Sequence, residues 1–278
     1  MRICACLFLL ILNISCQSKR VVVPSPPGYD LQRPNVINLP TDLDAISGIS
    51  YYNKDQSVFA ISDESGYLFK ITATADGAAI RKWQFARKAD FEDLVLLDST
   101  FYVLRSNGNI DIVHFEKKDS VVTSEVHFPL NGKYEFETLF YDKDKNKLFL
   151  LCKDCEGDSK QTVTSFSFDP LLKSFADSSV RIDISRLTKK GPGGGLPFKA
   201  SAAAFNPVTG DLFVLSAVKK LLLVLDKNSS VKAAYPLDEG LFKQAEGITF
   251  SGSGNMIISN EATHVGAANL LVFNYKKP

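Results

Sequence analysis

From residue 46 onward, apolar residues come in short runs broken by turn residues, and no stretch sustains a helical period. One pattern returns five times: a small or polar start, an apolar strand, a turn of Gly, Asn, Asp or Lys type, and a second apolar strand. The first strands read ISGISYY from Ile46, FEDLVLL from Phe91, FETLFYD from Phe136, ASAAAFN from Ala200 and AEGITFS from Ala245. Their partners read SVFAISD, TFYVLRS, KLFLLCKD, DLFVLSA and NMIISNE. The equivalent positions Gly48, Asp93, Thr138, Ala202 and Gly247 are 45, 45, 64 and 45 residues apart, so the long interval is one unit plus a 19-residue insertion. Two more strand-like runs complete each of the first four units, such as YLFKI and IRKWQF in the first. Four-stranded units of this length in tandem predict an all-β fold, a β-propeller.

The fifth unit has only one further strand, NLLVFNY from Asn269, while Val36-Ile37-Asn38-Leu39 stands unassigned before the first unit. That N-terminal strand is expected to complete the last blade and close the ring, which removes exposed strand edges. Five four-stranded blades are predicted. The alternative is a sixth blade within the 64-residue interval, which falls short of two units by roughly half a blade.

The first residues follow a different pattern. Met1-Arg2 precedes an apolar run from Ala5 to Ile14, too short for the roughly 20 residues of a spanning helix. Residues 1–15 therefore read as a signal peptide. Asn13-Ile14-Ser15-Cys16 resembles a bacterial lipobox, which makes Cys16 the expected lipidation site and new N-terminus, although Asn13 replaces the usual Leu. Plain signal cleavage is the alternative. Residues 16–34 hold Pro24, Pro26, Pro27 and Pro34 and read as an extended tether, with the propeller at 35–278.

Charge narrows the partners. There are 32 Lys+Arg against 31 Asp+Glu, a net charge of +1, so no phosphate-neutralising nucleic-acid surface is indicated. With 45% hydrophobic residues the chain is not disordered. Once the signal and Cys16 are set aside, only Cys152 and Cys155 remain in the fold. In an exported protein they are a possible local disulfide or two inert thiols.

The stretches DAISGISYYNKDQSVFAISDESGYLFKI, KADFEDLVLLDSTFYVL, YEFETLFYDKDKNKLFLLCKD, KASAAAFNPVTGDLFVLS and QAEGITFSGSGNMIISNEA, taken in order, resemble the SdiA-regulated family of exported bacterial propellers. The resemblance covers about Leu43 to Tyr275 and departs at Ala202, where the family tends to carry Gly, and at Asp93 and Thr138. It implies a cell-envelope location, periplasm-facing or surface-exposed, and calcium binding.

In a propeller, strand one of each blade lines the central channel and strand two returns antiparallel. Strand-one starts and strand-two ends therefore share a face. The starts supply Ser47, Glu92, Glu137, Ser201 and Glu246; the ends supply Asp63, Glu64, Arg105, Lys153, Asp154, Ser216, Asn260 and Glu261. Carboxylates ringing a narrow channel need a counter-charge, and a hard cation held by several oxygens provides one. Glu92, Glu137 and Glu246 are the expected ligands, direct or through water. The competing reading is that they only cap neighbouring backbone N–H groups. DCEGD after Lys153 is a weak oxygen-rich loop, and Thr188 to Phe198 is a Gly-rich spacer without the Lys of a phosphate loop.

Catalytic residues are sparse. GxSxG and HExxH are both missing. His264 falls on the acidic face as a weak general-base candidate, and Arg105 and Lys153 are weak candidates for holding an anion. Two functions follow. One is a monomeric, lipid-tethered, calcium-binding module that recognises a protein or small molecule on its acidic face. The other is a metal-dependent hydrolase of a phosphoester, lactone or glycan at the channel mouth.

Overall fold

The computed structural model describes residues 24–75, 77–117, 119–156, 158, 162–176, 180–185, 198–264 and 266–277. The expected signal peptide and the expected lipidation site Cys16 lie outside the described residues, as does the Gly-rich spacer apart from Phe198.

Five antiparallel sheets form five blades. Blade 1 follows β1 (Asn35–Asn38) and holds β2 (Ile46–Tyr52), β3 (Ser57–Ser62), β4 (Ser65–Thr74) and β5 (Gly77–Gln84). Blade 2 holds β6 (Phe91–Leu97), β7 (Thr100–Arg105), β8 (Ile110–Lys117) and β9 (Ser120–Val126). Blade 3 holds β10 (Tyr134–Asp142), β11 (Lys147–Cys155) and β12 (Thr162–Asp169), and its outer strand is split into β13 (Ser174–Phe175) and β14 (Val180–Asp183). Blade 4 holds β15 (Ala202–Phe205), β16 (Leu212–Ser216), β17 (Leu221–Leu225) and β18 (Val231–Pro236). Blade 5 holds β19 (Ala245–Phe250), β20 (Met256–Asn260) and β21 (Asn269–Phe273), and β1 is its outer strand, pairing Asn35 with Val272 and Asn38 with Asn269. The inner strands β2, β6, β10, β15 and β19 pack in that order, and β19 returns to β2, so the ring is closed. The expected N-terminal closing strand is in place.

The middle strands are apolar on both faces because each blade is sandwiched between two others. In β7, Phe101 and Val103 join the core shared with blade 1, while Tyr102 and Leu104 join the core shared with blade 3. Strand alternation thus feeds two cores at once, and runs such as FYVL and LFVL are its sequence signature. One such core lies at each of the five interfaces.

Part of the segment expected as a tether is packed into the fold. Tyr29 and Leu31, placed in residues 16–34, are buried in the core between blades 4 and 5. The Tyr29 hydroxyl donates to the Gly254 carbonyl at 2.6 Å and accepts from Asn206 Nδ2 at 2.8 Å. A lone aromatic among prolines gave little sign of this seat, which exists only once two distant blades meet.

Candidate functional site

The strand-one starts and strand-two ends do share a face: Phe91 pairs with Arg105, Glu135 with Asp154 and Ala245 with Asn260. The turns carrying lysine, Tyr52–Gln56 and Asp142–Lys147, close the opposite ends of their hairpins.

The five start positions divide by chemistry. Ser47 Oγ donates to the Glu92 carbonyl of the next blade. Ser201 Oγ donates to the Ala245 carbonyl at 2.7 Å. Both serines therefore fasten one inner strand to its neighbour. Asp93 does the same from blade 2: its buried carboxyl accepts from the Leu139 N–H and its neighbour Leu94 N–H, both at 2.7 Å. Burial drives this carboxyl well above the usual range, and the two N–H donors pull it part of the way back. Inner strands here approach so closely that a Cβ at Gly48 would sit 2.5 Å from Asp93 Cα, and one at Gly247 would sit 2.7 Å from the Ser47 carbonyl oxygen. That close approach accounts for glycine at these two start positions.

The three glutamates converge electrostatically. Burial, then the charges of Glu137 and Asp90, push Glu92 up to about 9. Burial, then Glu137 and Glu261, push Glu246 up to about 8. Burial also raises Glu137, opposed by its hydrogen bond to Lys153. Lys153 Nζ bonds Glu137 and lies 3.0 Å from Glu135. Burial works against the lysine charge, but these two carboxylates more than offset it and hold Lys153 above its ordinary value. The mouth therefore contains three half-buried carboxyls and one half-buried cation.

Other face residues take separate roles. Asp63 Oδ1 is buried without a hydrogen-bond partner, and burial, with Glu64 and Asp90 nearby, raises this carboxyl. Glu64 lies 3.6 Å from Lys88. Glu261, raised by burial and by Asp63, accepts from Gln244 Nε2. Asn260 Nδ2 donates to the Leu241 carbonyl and to Asn269 Oδ1, both at 3.0 Å. Buried Ser216 accepts from the Lys219 N–H at 3.3 Å. Asp154 turns away to Lys133 at 2.7 Å.

Arg105 is not a free anion holder. Its guanidinium grips the fully buried Asp111 through two bonds of 2.8 and 2.9 Å, reaches Glu125 at 3.2 Å and lies over the Phe91 ring. His264 is exposed in the turn bracketed by the Thr263–Gly266 bridge. The sequence reading missed Glu135, the second carboxylate on Lys153. Its spacing two residues before Glu137 on one strand was the available signal.

The donor set is one of hard oxygen ligands, half-buried carboxyls whose ionised forms a divalent ion would neutralise. They are not gathered into one inner coordination sphere. Among the described residues, one group of three potential ligand atoms lies within 4.8 Å, at Cys152, Cys155 and Asp158. There the cysteines form a disulfide, and the Asp158 carboxylate accepts from Cys155 N–H, Thr164 N–H and the Thr164 hydroxyl. Asp158 is thus already engaged by Cys155 and Thr164.

The chain matches the SdiA-regulated family over residues 29–263. No curated protein matches it by sequence. Among solved structures, it is similar to the glutaminyl cyclase of Myxococcus xanthus, with 12% identity, 87% of this chain and 95% of that one covered, and a TM-score of 0.57. It is similar also to a luciferin-regenerating enzyme, with 9% identity, coverages of 87% and 95%, and a TM-score of 0.52. At such identities the likeness is one of fold.

Proposed function

The chain belongs to the SdiA-regulated family, and from that premise we propose that it is a ligand-recognition propeller, anchored at a bacterial envelope by a lipid on Cys16, whose acidic channel mouth takes calcium. The observation that carries this reading is the ring of Glu92, Glu137 and Glu246, three half-buried carboxyls that all feel the charge of Lys153, which contacts Glu137 alone among them. Calcium would be held by these carboxylates, in part through water, with backbone carbonyls completing its shell. Its charge would replace the protons that burial otherwise retains on Glu92 and Glu246. Arg105, already held by Asp111, is not available for a substrate anion, which favours recognition over hydrolysis at this mouth.

Calorimetric titration of the chelator-treated protein with calcium chloride, paired with thermal melts, tests the proposal. Calcium should bind saturably and raise the Tm, and Glu246→Gln should weaken both effects. Indifference of the parent Tm to calcium and to chelator would overturn the calcium reading.

A further inference from the structure

A cavity lies away from the channel mouth. The cleft, of about 730 Å³, opens between blades 3 and 4. Its size matches a small-molecule site. Its origin is local and sequence-encoded. Along β12 the positions facing blade 4 are Ser165 and Ser167, paired opposite Leu151 and Phe149. The equivalent pair in β17 is Leu222 and Val224, opposite Leu215 and Phe213, and in β8 it is Ile110 and Ile112, opposite Leu104 and Tyr102. Those aliphatic pairs are buried and fill their interfaces. Two serines in the same place leave space.

The lining has a definite polarity. Phe140 stacks on Phe149 at 5.6 Å and meets Phe205 edge-on at 5.8 Å, forming an apolar wall. Ser165 is only 3% exposed, and its Oγ has no hydrogen-bond partner. A buried hydroxyl of this kind is costly unless something bonds it. The acids at the rim are already engaged by backbone N–H groups: Asp142 by Asp144 and Lys145, Asp183 by Ser185, and Asp226 by Asn228 and Ser230. Arg181 and Lys227 also line the cleft and stand in no ion pair among the described residues.

We propose that this cleft is a second binding site, for a small amphipathic anion whose apolar body lies on Phe140, Phe149 and Phe205, within reach of the Ser165 hydroxyl, and whose acidic head meets Arg181. It is independent of the channel mouth and of calcium. Titration of the purified protein with decanoate, below its micellar concentration and with decanol as the uncharged control, tests it. Saturable one-to-one binding of decanoate is expected. Ser165→Leu combined with Ser167→Val, which copies the β17 pair, should fill the cleft and abolish binding while the protein still melts cooperatively. Arg181→Gln, on the exposed rim, should weaken decanoate about tenfold and leave decanol unchanged. No saturable binding, or parental affinity in the folded double variant, would overturn the site. Equal loss of decanoate and decanol in Arg181→Gln would overturn the role of the anionic head.

Discussion

Replacing Glu92 with Gln keeps its shape and removes its titration, and the effect should depend on pH. The native carboxyl keeps its proton up to about 9, against an ordinary value of 4.5. The native state therefore binds more protons than the unfolded chain throughout that window. Stability from this residue is complete below 4.5 and is lost as pH rises through 9. The displacement corresponds to a penalty of up to about 5 kcal/mol at pH 8 and under about 1 kcal/mol at pH 5. Halving for residual solvent access leaves about 2 kcal/mol at pH 8. For a domain of this size that is a rise in Tm of about 4–8 °C for Glu92→Gln at pH 8, and no more than about 2 °C at pH 5. Scanning calorimetry in chelator-treated buffer at both pH values measures it. Equal Tm changes at the two pH values, or a lower Tm for the variant at pH 8, would refute the reasoning, because Glu92 would then be ionised and well satisfied in the native ring.

Gly48→Ala drives a methyl into Asp93 backbone and should cost about 2–3 kcal/mol in urea unfolding; a neutral result would mean that blades 1 and 2 do not meet as closely as described. Tyr29→Phe removes the hydroxyl between Gly254 and Asn206 and should cost about 1–2 kcal/mol by the same measurement. No loss would mean that the Tyr29 hydroxyl does not fasten the N-terminal segment to blades 4 and 5. Cys16→Ala should release the protein from the membrane fraction, and unchanged fractionation would reject lipid anchoring.

The blades were legible because strand alternation, turn residues and a 45-residue spacing repeat independently of tertiary detail. The missing fourth strand of the last unit likewise named its own replacement in Val36 to Leu39. The site was legible as an address more than as a set of roles. Ser47 and Ser201 stand in register with Glu92, Glu137 and Glu246, yet they fasten neighbouring strands through hydroxyl-to-carbonyl bonds that depend on interblade distance. Arg105 was expected to face the channel, but Asp111, six residues later on the adjoining strand, draws it away. Tyr29 shows the same limit, since its partners Gly254 and Asn206 come from remote parts of the chain. Spacing along a strand locates a side chain on a face. The partner it chooses is set by neighbours that a single strand does not encode.

The pairing of β1 with β21 also constrains the order in which the molecule can be made. Asn35 waits for Val272, so the clasp forms only after all five inner strands exist. Until then blade 5 lacks its outer strand, and the edge of β21 is open to any other extended segment. Contacts of such long sequence separation close slowly. A chain delivered from its N-terminus would therefore carry its own latch first and use it last. Its most vulnerable period would fall just before completion, when a second copy could supply the missing strand and give an exchanged dimer.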